Sequence, residues 1–361
     1  MDVLKLNSIS KLANPVLGGY NVTDTSENPV GILVRSFKMD EYALPSSVLA
    51  VARAGAGVNN IPHADYAKKG VCVFNTPGAN ANAVKELVIA ALIIGARNIS
   101  EAINWASTLK GDDVAKQVEK GKSQFAGNEI AGKTLCVLGL GAIGRKVAIS
   151  AHALGMNVVG YDPFIPQAAK EEIPFVTIFD DMKASWSDAD FVTLHMPMTP
   201  DTKGLVNEQS IATMKDGVIL VNAARGELCD VAAIKSALQS KKIRKYVVDF
   251  PGEESVGTSG IVAIPHLGAS TQEAEDNCAV MAATELKDYI ENGNITNSVN
   301  LPNLKAPKSA THRYTVISTD TGENRFGGIS ATRNGLRYTI VDTEDELTLS
   351  GDDVIKARKV Y

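Results

Sequence analysis

Lys133–Phe164 reads KTLCVLGLGAIGRKVAISAHALGMNVVGYDPF, and it decides the fold. Leu135 to Leu138 is a short apolar run, the right length for a buried parallel strand. Gly139, Gly141 and Gly144 follow at G-x-G-x-x-G spacing, with Ala142 and Ile143 between the last two. A helical pattern comes next, with Ile143, Val147 and Ala151 on one face. A second apolar run at Val158 and Val159 then stops at Tyr161 and Asp162. In such a unit the first glycine allows the tight turn and the second lets backbone approach a pyrophosphate. The third lets helix and strand pack closely. The helix N-terminus presents free N–H groups and a positive dipole end to the phosphates. Asp162 stands where the ribose hydroxyls would donate, and Pro163-Phe164 bring no arginine for a 2′-phosphate. The expected cofactor is therefore NAD, not NADP.

Outside this stretch the composition is that of an ordinary globular protein of 361 residues, long enough for two domains. A net charge of −5 without a basic cluster speaks against nucleic acid. Cys72, Cys136, Cys229 and Cys278 are scattered, as buried thiols of a reducing compartment would be, and suggest no metal site. The N-terminus MDVLKLNS has no signal-peptide core, and the longest apolar run, Leu87 to Ala96, is too short to span a bilayer. A soluble cytoplasmic protein without membrane partners is expected.

The first hundred residues alternate strand-like runs with helix-compatible ones. The runs are Val3–Leu6, Gly31–Val34, Leu49–Ala52 and Val71–Phe74, with helices expected over Met39–Ser47 and Ile61–Lys69. Ligands of open parallel sheets bind beyond the carboxyl ends of strands. This directs attention to Arg35-Ser36, to Arg53-Ala54-Gly55 and to Asn75–Gly78. Asn82 to Arg97 is apolar nearly all round and reads as a buried helix crossing between domains. Beyond Asp162, strands are expected at Asp190–Leu194, Val218–Val221, Tyr246–Val248 and Ile261–Ala263. They run into Met196, Arg225, Asp249 and His266, and a long helix is expected over Thr271–Asn292. Taken singly, Arg225 is an arginine capping a turn, Glu254 a solvated loop acid and His266 a core histidine. Together on strand ends they supply what hydride transfer needs: a base for the hydroxyl proton, a carboxylate to support the imidazole, and a guanidinium fork for a carboxylate or developing carbonyl.

The motifs NAARG (Asn222–Gly226), VDFPGEES (Val248–Ser255) and PHLGAST (Pro265–Thr271) resemble signatures of the D-2-hydroxyacid dehydrogenases. RAGAGVNNI (Arg53–Ile61) and FNTPG (Phe74–Gly78) point to members acting on a phosphorylated 2-hydroxy acid. The resemblance implies an α/β fold, with a Rossmann NAD-binding domain (98–268) inserted in a flavodoxin-like substrate domain (1–97 and 269–303). It implies that Arg225 polarises the 2-oxo acid, His266 is the acid/base and Glu254 supports it. Met196, Pro197, Thr202, Ala223, Ala224, Arg225, Asp249, His266, Gly268 and Ala269 would meet the cofactor. Arg35, Ser36 and Arg53 would meet the phosphate, and the Ala54 and Gly55 amides the substrate carboxylate. A homodimer is implied as well. Ser255, where proline is usual, and Lys85, where a small residue is usual, depart from the pattern.

Relatives of this kind often end in a regulatory ACT domain of βαββαβ order. Residues 304–361 have strand-like runs at His312–Ser318, Leu336–Asp342 and Val354–Tyr361 but no amphipathic helix. A reduced ACT-like remnant is one reading, and an unrelated β extension or partly disordered tail the other. On either, the tail would matter for assembly at most. Two other functions stay open: a sister reductase of hydroxypyruvate, glyoxylate or 2-oxoglutarate, and an NADH-sensing, corepressor-like interaction protein.

Overall fold

Thr134–Leu138, the run ahead of the glycines, is a buried inner strand of a seven-stranded parallel sheet in the computed structural model, which describes residues 1–361. Across that sheet the order is Ile261–Ala263, Ile243–Val248, Val218–Asn222, Phe191–Leu194, Thr134–Leu138, Asn157–Tyr161, Thr177–Phe179. Counted from Thr134–Leu138, this is the doubly wound 3-2-1-4-5-6 order with one strand added, and its switch point lies between Thr134–Leu138 and Phe191–Leu194. A second parallel sheet runs Asn21–Thr23, Asp2–Leu6, Gly31–Val34, Ala50–Arg53, Cys72–Phe74. Its 2-1-3-4-5 order is flavodoxin-like. Helix Gln272–Asn292 packs Ala279, Ala282, Ala283 and Leu286 against it.

The chain divides into two units, Met1–Asn80 with Gln272–Tyr361, and Ala81–Thr271. These bounds differ from the expected 98–268 at both ends of the insertion, and chiefly at the first. Helix Ala81–Arg97 goes with the dinucleotide unit, because Val84, Val88, Leu92 and Ala96 bury among Val147, Ala151 and Ile219. There is no room for a side chain at Gly95, where a Cβ would stand 2.8 Å from Ile219. Met39–Ser47 is not helical but a series of turns. Pro45 explains this, since it drives the preceding residue out of the helical region. The short edge strands Asn21–Thr23 and Thr177–Phe179 have no apolar run to announce them.

The tail corrects the ACT-like expectation. His312–Thr319, Ile329–Arg333, Leu336–Thr343 and Val354–Lys359 form an antiparallel four-stranded sheet with no helix in it. Asn334 and Gly335, at φ 51° and 75°, make the two-residue turn that suits a twisted hairpin. The β extension is what the chain adopts. Nor does the tail stand as a third body: Ile317, Tyr338 and Ile340 share one core with Phe74, Leu286, Tyr289 and Ile290. All four cysteines are free and buried. No helix is long and apolar enough to cross a membrane.

Candidate active site

Close approach of backbone, more than turn geometry, explains the glycines. At Gly139 (φ 89°) a Cβ would stand 2.9 Å from the His195 carbonyl, across the switch point. At Gly144 a Cβ would run into the Gly139 carbonyl oxygen, so the helix Ala142–Ala153 can start there only on glycine. Gly141 differs, because nothing lies within 4 Å of the place its Cβ would take. That open space, under the first free N–H groups of the helix at Ala142 and Ile143, is what a pyrophosphate requires. Asp162 closes the other side: its carboxylate accepts from Leu140 N (2.8 Å) and Phe164 N (2.9 Å). Each oxygen keeps lone-pair capacity for a ribose hydroxyl. Tyr161 accepts from Gly139 N (2.9 Å), and Arg145 is held by Glu172 and the Leu140 carbonyl. The residues present fit a dinucleotide with a free 2′-hydroxyl.

Two residues unnoticed in the sequence, one buried and one half-buried, pin the functional loops. Asn222, fully buried at the end of its strand, accepts from Ala224 N (3.1 Å) and Arg225 N (3.3 Å). It also donates to the Arg225 carbonyl (2.8 Å) and to Tyr246 Oη (3.2 Å). It thus fixes the turn that carries Ala223, Ala224 and the exposed Arg225. His195 is the other. Its Nε2 pairs with Thr193 Oγ1 at 3.0 Å, its Nδ1 is buried without a partner, and burial drives its pKa down to about 3. This imidazole is neutral at physiological pH and backs the first glycine. Next to it, Met196 is half-buried and Thr202 Oγ1 donates to the Pro197 carbonyl (2.8 Å).

Asp249 does for His266 what Asn222 does for Arg225. Buried at the end of strand Ile243–Val248, it accepts from Leu267 N (2.7 Å) and Gly268 N (2.8 Å). A Cβ at Gly268 would stand 2.8 Å from its Oδ2. Burial raises the Asp249 pKa against those two amide bonds. His266 itself is exposed with φ 55°, a conformation rare outside glycine and the mark of a constrained position. Its ring centroid lies 4.3 Å from that of Phe250, and the Arg225 guanidinium sits over the same phenyl ring, 5.3 Å from its centroid. Phe250 therefore brings Arg225 and His266 together, and no local pattern marks it out. Glu254 does not join them. Its carboxylate is exposed and bonds nothing, while its carbonyl is tied to Thr258 Oγ1 (3.1 Å) in the turn that also buries Ser255. Ala269 is half-buried beside Gly268.

In the unit Met1–Asn80 with Gln272–Tyr361, Arg35 and Arg53 meet at neighbouring strand ends. Arg53 Nε donates to the Arg35 carbonyl and to Asn60 Oδ1, both at 3.0 Å, and its guanidinium covers the place of a Cβ on Gly55. Ser36 is linked to the Asn7 side chain (2.7 Å). The expectation for the Ala54 and Gly55 amides is not met: they donate to the Val34 (2.8 Å) and Arg53 (2.9 Å) carbonyls, because the loop folds back on its own strand. The next two amides, Ala56 and Gly57, have no acceptor in the chain.

A doubly wound sheet with a glycine turn at its switch point, a ribose-accepting acid, and an arginine and histidine on the strand ends either side of Ile243–Val248 define a dinucleotide-binding oxidoreductase fold. Residues 89–270, half of the chain, match the model of the D-isomer specific 2-hydroxyacid dehydrogenase NAD binding domain. The chain belongs to that family, and NAD is the cofactor of its dinucleotide unit. It is 38% identical over 264 residues to D-3-phosphoglycerate dehydrogenase of Methanocaldococcus jannaschii, covering 72% of this chain and 48% of that one. It is 36% identical over 284 residues to the protein of that name from Rattus norvegicus, covering 75% and 50%. The chain thus spans about half the length of these curated relatives. A crystal structure of NAD+-bound 3-phosphoglycerate dehydrogenase from Entamoeba histolytica is similar at TM-score 0.65 and 25% identity, covering 83% of this chain and 98% of that one. A glyoxylate reductase from Paecilomyes thermophila, at TM-score 0.69 and 23% identity over 83% and 98%, shares the fold.

Proposed function

We propose that this protein oxidises D-3-phosphoglycerate to 3-phosphohydroxypyruvate with NAD, the reaction that opens the phosphorylated route of serine biosynthesis. The observation that carries the reading is the pair Arg35 and Arg53 with Ser36 on adjoining strand ends, a set that suits a phosphate. NAD, when bound, accepts the hydride. It would lie along Gly139, Gly141, Ala142, Ile143 and Gly144, with Asp162 on the ribose. Met196, Pro197, Thr202, Ala223, Ala224, Asp249, Gly268 and Ala269 would line its nicotinamide end.

The rest belongs to the side chains of this chain. His266 takes the hydroxyl proton, its ring oriented by Phe250 and its loop by Asp249. Arg225 holds the carboxylate and polarises the developing carbonyl. Glu254 supports the imidazolium once its loop turns toward His266; apo-like spacing of catalytic groups often tightens in this way. We infer a cytoplasmic homodimer, on the exposed Ile103 and Val114 of two short helices that bury no side chain of their own.

Oxidation of NADH with 3-phosphohydroxypyruvate, beside hydroxypyruvate and 2-oxoglutarate, tests the reading. The phosphorylated acid should give the highest kcat/KM. A higher value with hydroxypyruvate would favour the sister-reductase reading, to which one observation already lends weight: Arg35 pairs with Glu275 at 2.7 Å.

A further inference from the structure

The Arg35–Glu275 pair has no evident structural purpose. Both side chains are about one-third exposed, 34% and 37%, and such pairs contribute little to stability. Glu275 stands in the first turn of helix Gln272–Asn292 with Glu273, and Asp276 follows it. Asp276 is taken up by Ser10 and Gln272, and Glu273 faces solvent. Only Glu275 reaches a strand-end arginine. Arg53 stands beside this pair, its Nε donating to the Arg35 carbonyl at 3.0 Å, so the three charges lie together at adjoining strand ends. Two cations and one anion there leave a single net positive charge. A phosphate dianion arriving at Arg35 comes within a guanidinium's width of the Glu275 carboxylate, where like charges repel appreciably even at high effective dielectric.

We propose that Glu275 is a specificity-determining residue that acts through Arg35. By sharing its guanidinium, it holds the preference for phosphorylated over unphosphorylated 2-oxo acids below what Arg35 and Arg53 would give alone. The proposal rests on the reading of Arg35 as a phosphate ligand. Glu275→Gln keeps the size of the side chain and an acceptor for Arg35 but removes the charge, so the arginine stays in place. The quantity read is the ratio of kcat/KM for 3-phosphohydroxypyruvate to that for hydroxypyruvate, in the whole chain.

In Glu275→Gln that ratio should rise roughly five- to tenfold at low ionic strength, and the gain should shrink as salt is added. Helix loosening alone would lower both values and leave no salt-dependent gain. A ratio within twofold of the parent, or a lower one, overturns the proposal. Arg35→Ala separates the two levels of the argument. If it collapses the ratio while Glu275→Gln leaves it in place, only the role of Glu275 fails. If it leaves the ratio in place, the phosphate reading of Arg35 fails first.

Discussion

Ending the chain at Lys305 should unfold the unit to which the tail belongs, not merely alter assembly. The tail contributes Ile317, Tyr338 and Ile340, each no more than 2% exposed, to the core that helix Gln272–Asn292 shares with its sheet. Burial of three such side chains stabilises by about 5–9 kcal/mol on an area basis, an upper bound because unfolded chains are partly compact. The tail also caps the helix. Arg358 donates to the Tyr289 and Ile290 carbonyls, Arg313 to that of Asn292 (3.0 Å), and Tyr338 Oη to that of Gly293 (2.5 Å). These carbonyls lie at the end where a helix has no partners of its own. The loss is comparable with the whole stability of a typical domain, about 5–15 kcal/mol. Ile317→Ala gives a graded version, costing about 2–5 kcal/mol. At about 2–4 °C per kcal/mol for a unit of this size, its transition should fall by roughly 4–20 °C. Thermal and urea unfolding by circular dichroism would be compared with NADH binding as a separate probe of Ala81–Thr271. A chain ending at Lys305 that melts within 2 °C of the whole one would refute the packing argument and restore the tail as a dispensable appendage.

Other outcomes follow from the site and the core. With Asp162 facing any 2′-phosphate, kcat/KM should favour NADH over NADPH by at least roughly tenfold, and equal values would remove Asp162 from the ribose site. His266→Ala should lower kcat by roughly 10²–10⁴; a loss under tenfold would hand the proton to another group. In the reduction of 3-phosphohydroxypyruvate, where His266 gives the proton, Glu254→Gln should move the basic limb of the kcat/KM profile to lower pH, since a carboxylate beside an imidazole favours its protonated form. An unmoved profile would leave Glu254 an ordinary loop acid. Glu285, 7% exposed with Oε2 unpartnered, has its pKa raised by burial to about 7, so its penalty is absent below about pH 4.5 and grows as pH rises toward 7. Glu285→Gln should flatten that fall and stabilise at pH 8 by up to about 3 kcal/mol, read from urea midpoints across pH; parallel curves for the two proteins would count against it.

What could be read from the sequence was whatever leaves a local pattern. The glycine turn with its flanking strand and helix, the strand ends that carry Arg35, Arg225 and His266, and the helices Ala81–Arg97 and Gln272–Asn292 all have a period or a spacing that survives without the third dimension. Met39–Ser47 misled because its apolar spacing suits a helix while Pro45 forbids one. The tail misled for a different reason. Three of its four strands and the lack of an amphipathic helix were legible, but the family analogy still suggested an ACT-like remnant, and the partner that buries Ile317 and Tyr338 lies in a distant part of the chain.

The polar residues that hold the site leave no such pattern, and the physics of the strand ends says why. Arg225 and His266 must be exposed to meet a substrate, so they cannot be fixed by burial of their own side chains. Fixing them falls to neighbours that are buried and that bond to backbone: Asn222 to the amides and carbonyl of the NAARG turn, Asp249 to the amides after His266. Any residue type but proline can offer a backbone amide N–H, so these bonds put little demand on the sequence at their far ends. Only the single Asn or Asp is visible, and it looks like any other strand-end polar residue. Its cost shows elsewhere, in a carboxylate whose pKa burial raises at Asp249 and in the left-handed backbone of His266. A loop held by buried acceptors can keep such a conformation where a solvated loop would relax, and it is this conformation that sets the His266 ring against Phe250 beside Arg225.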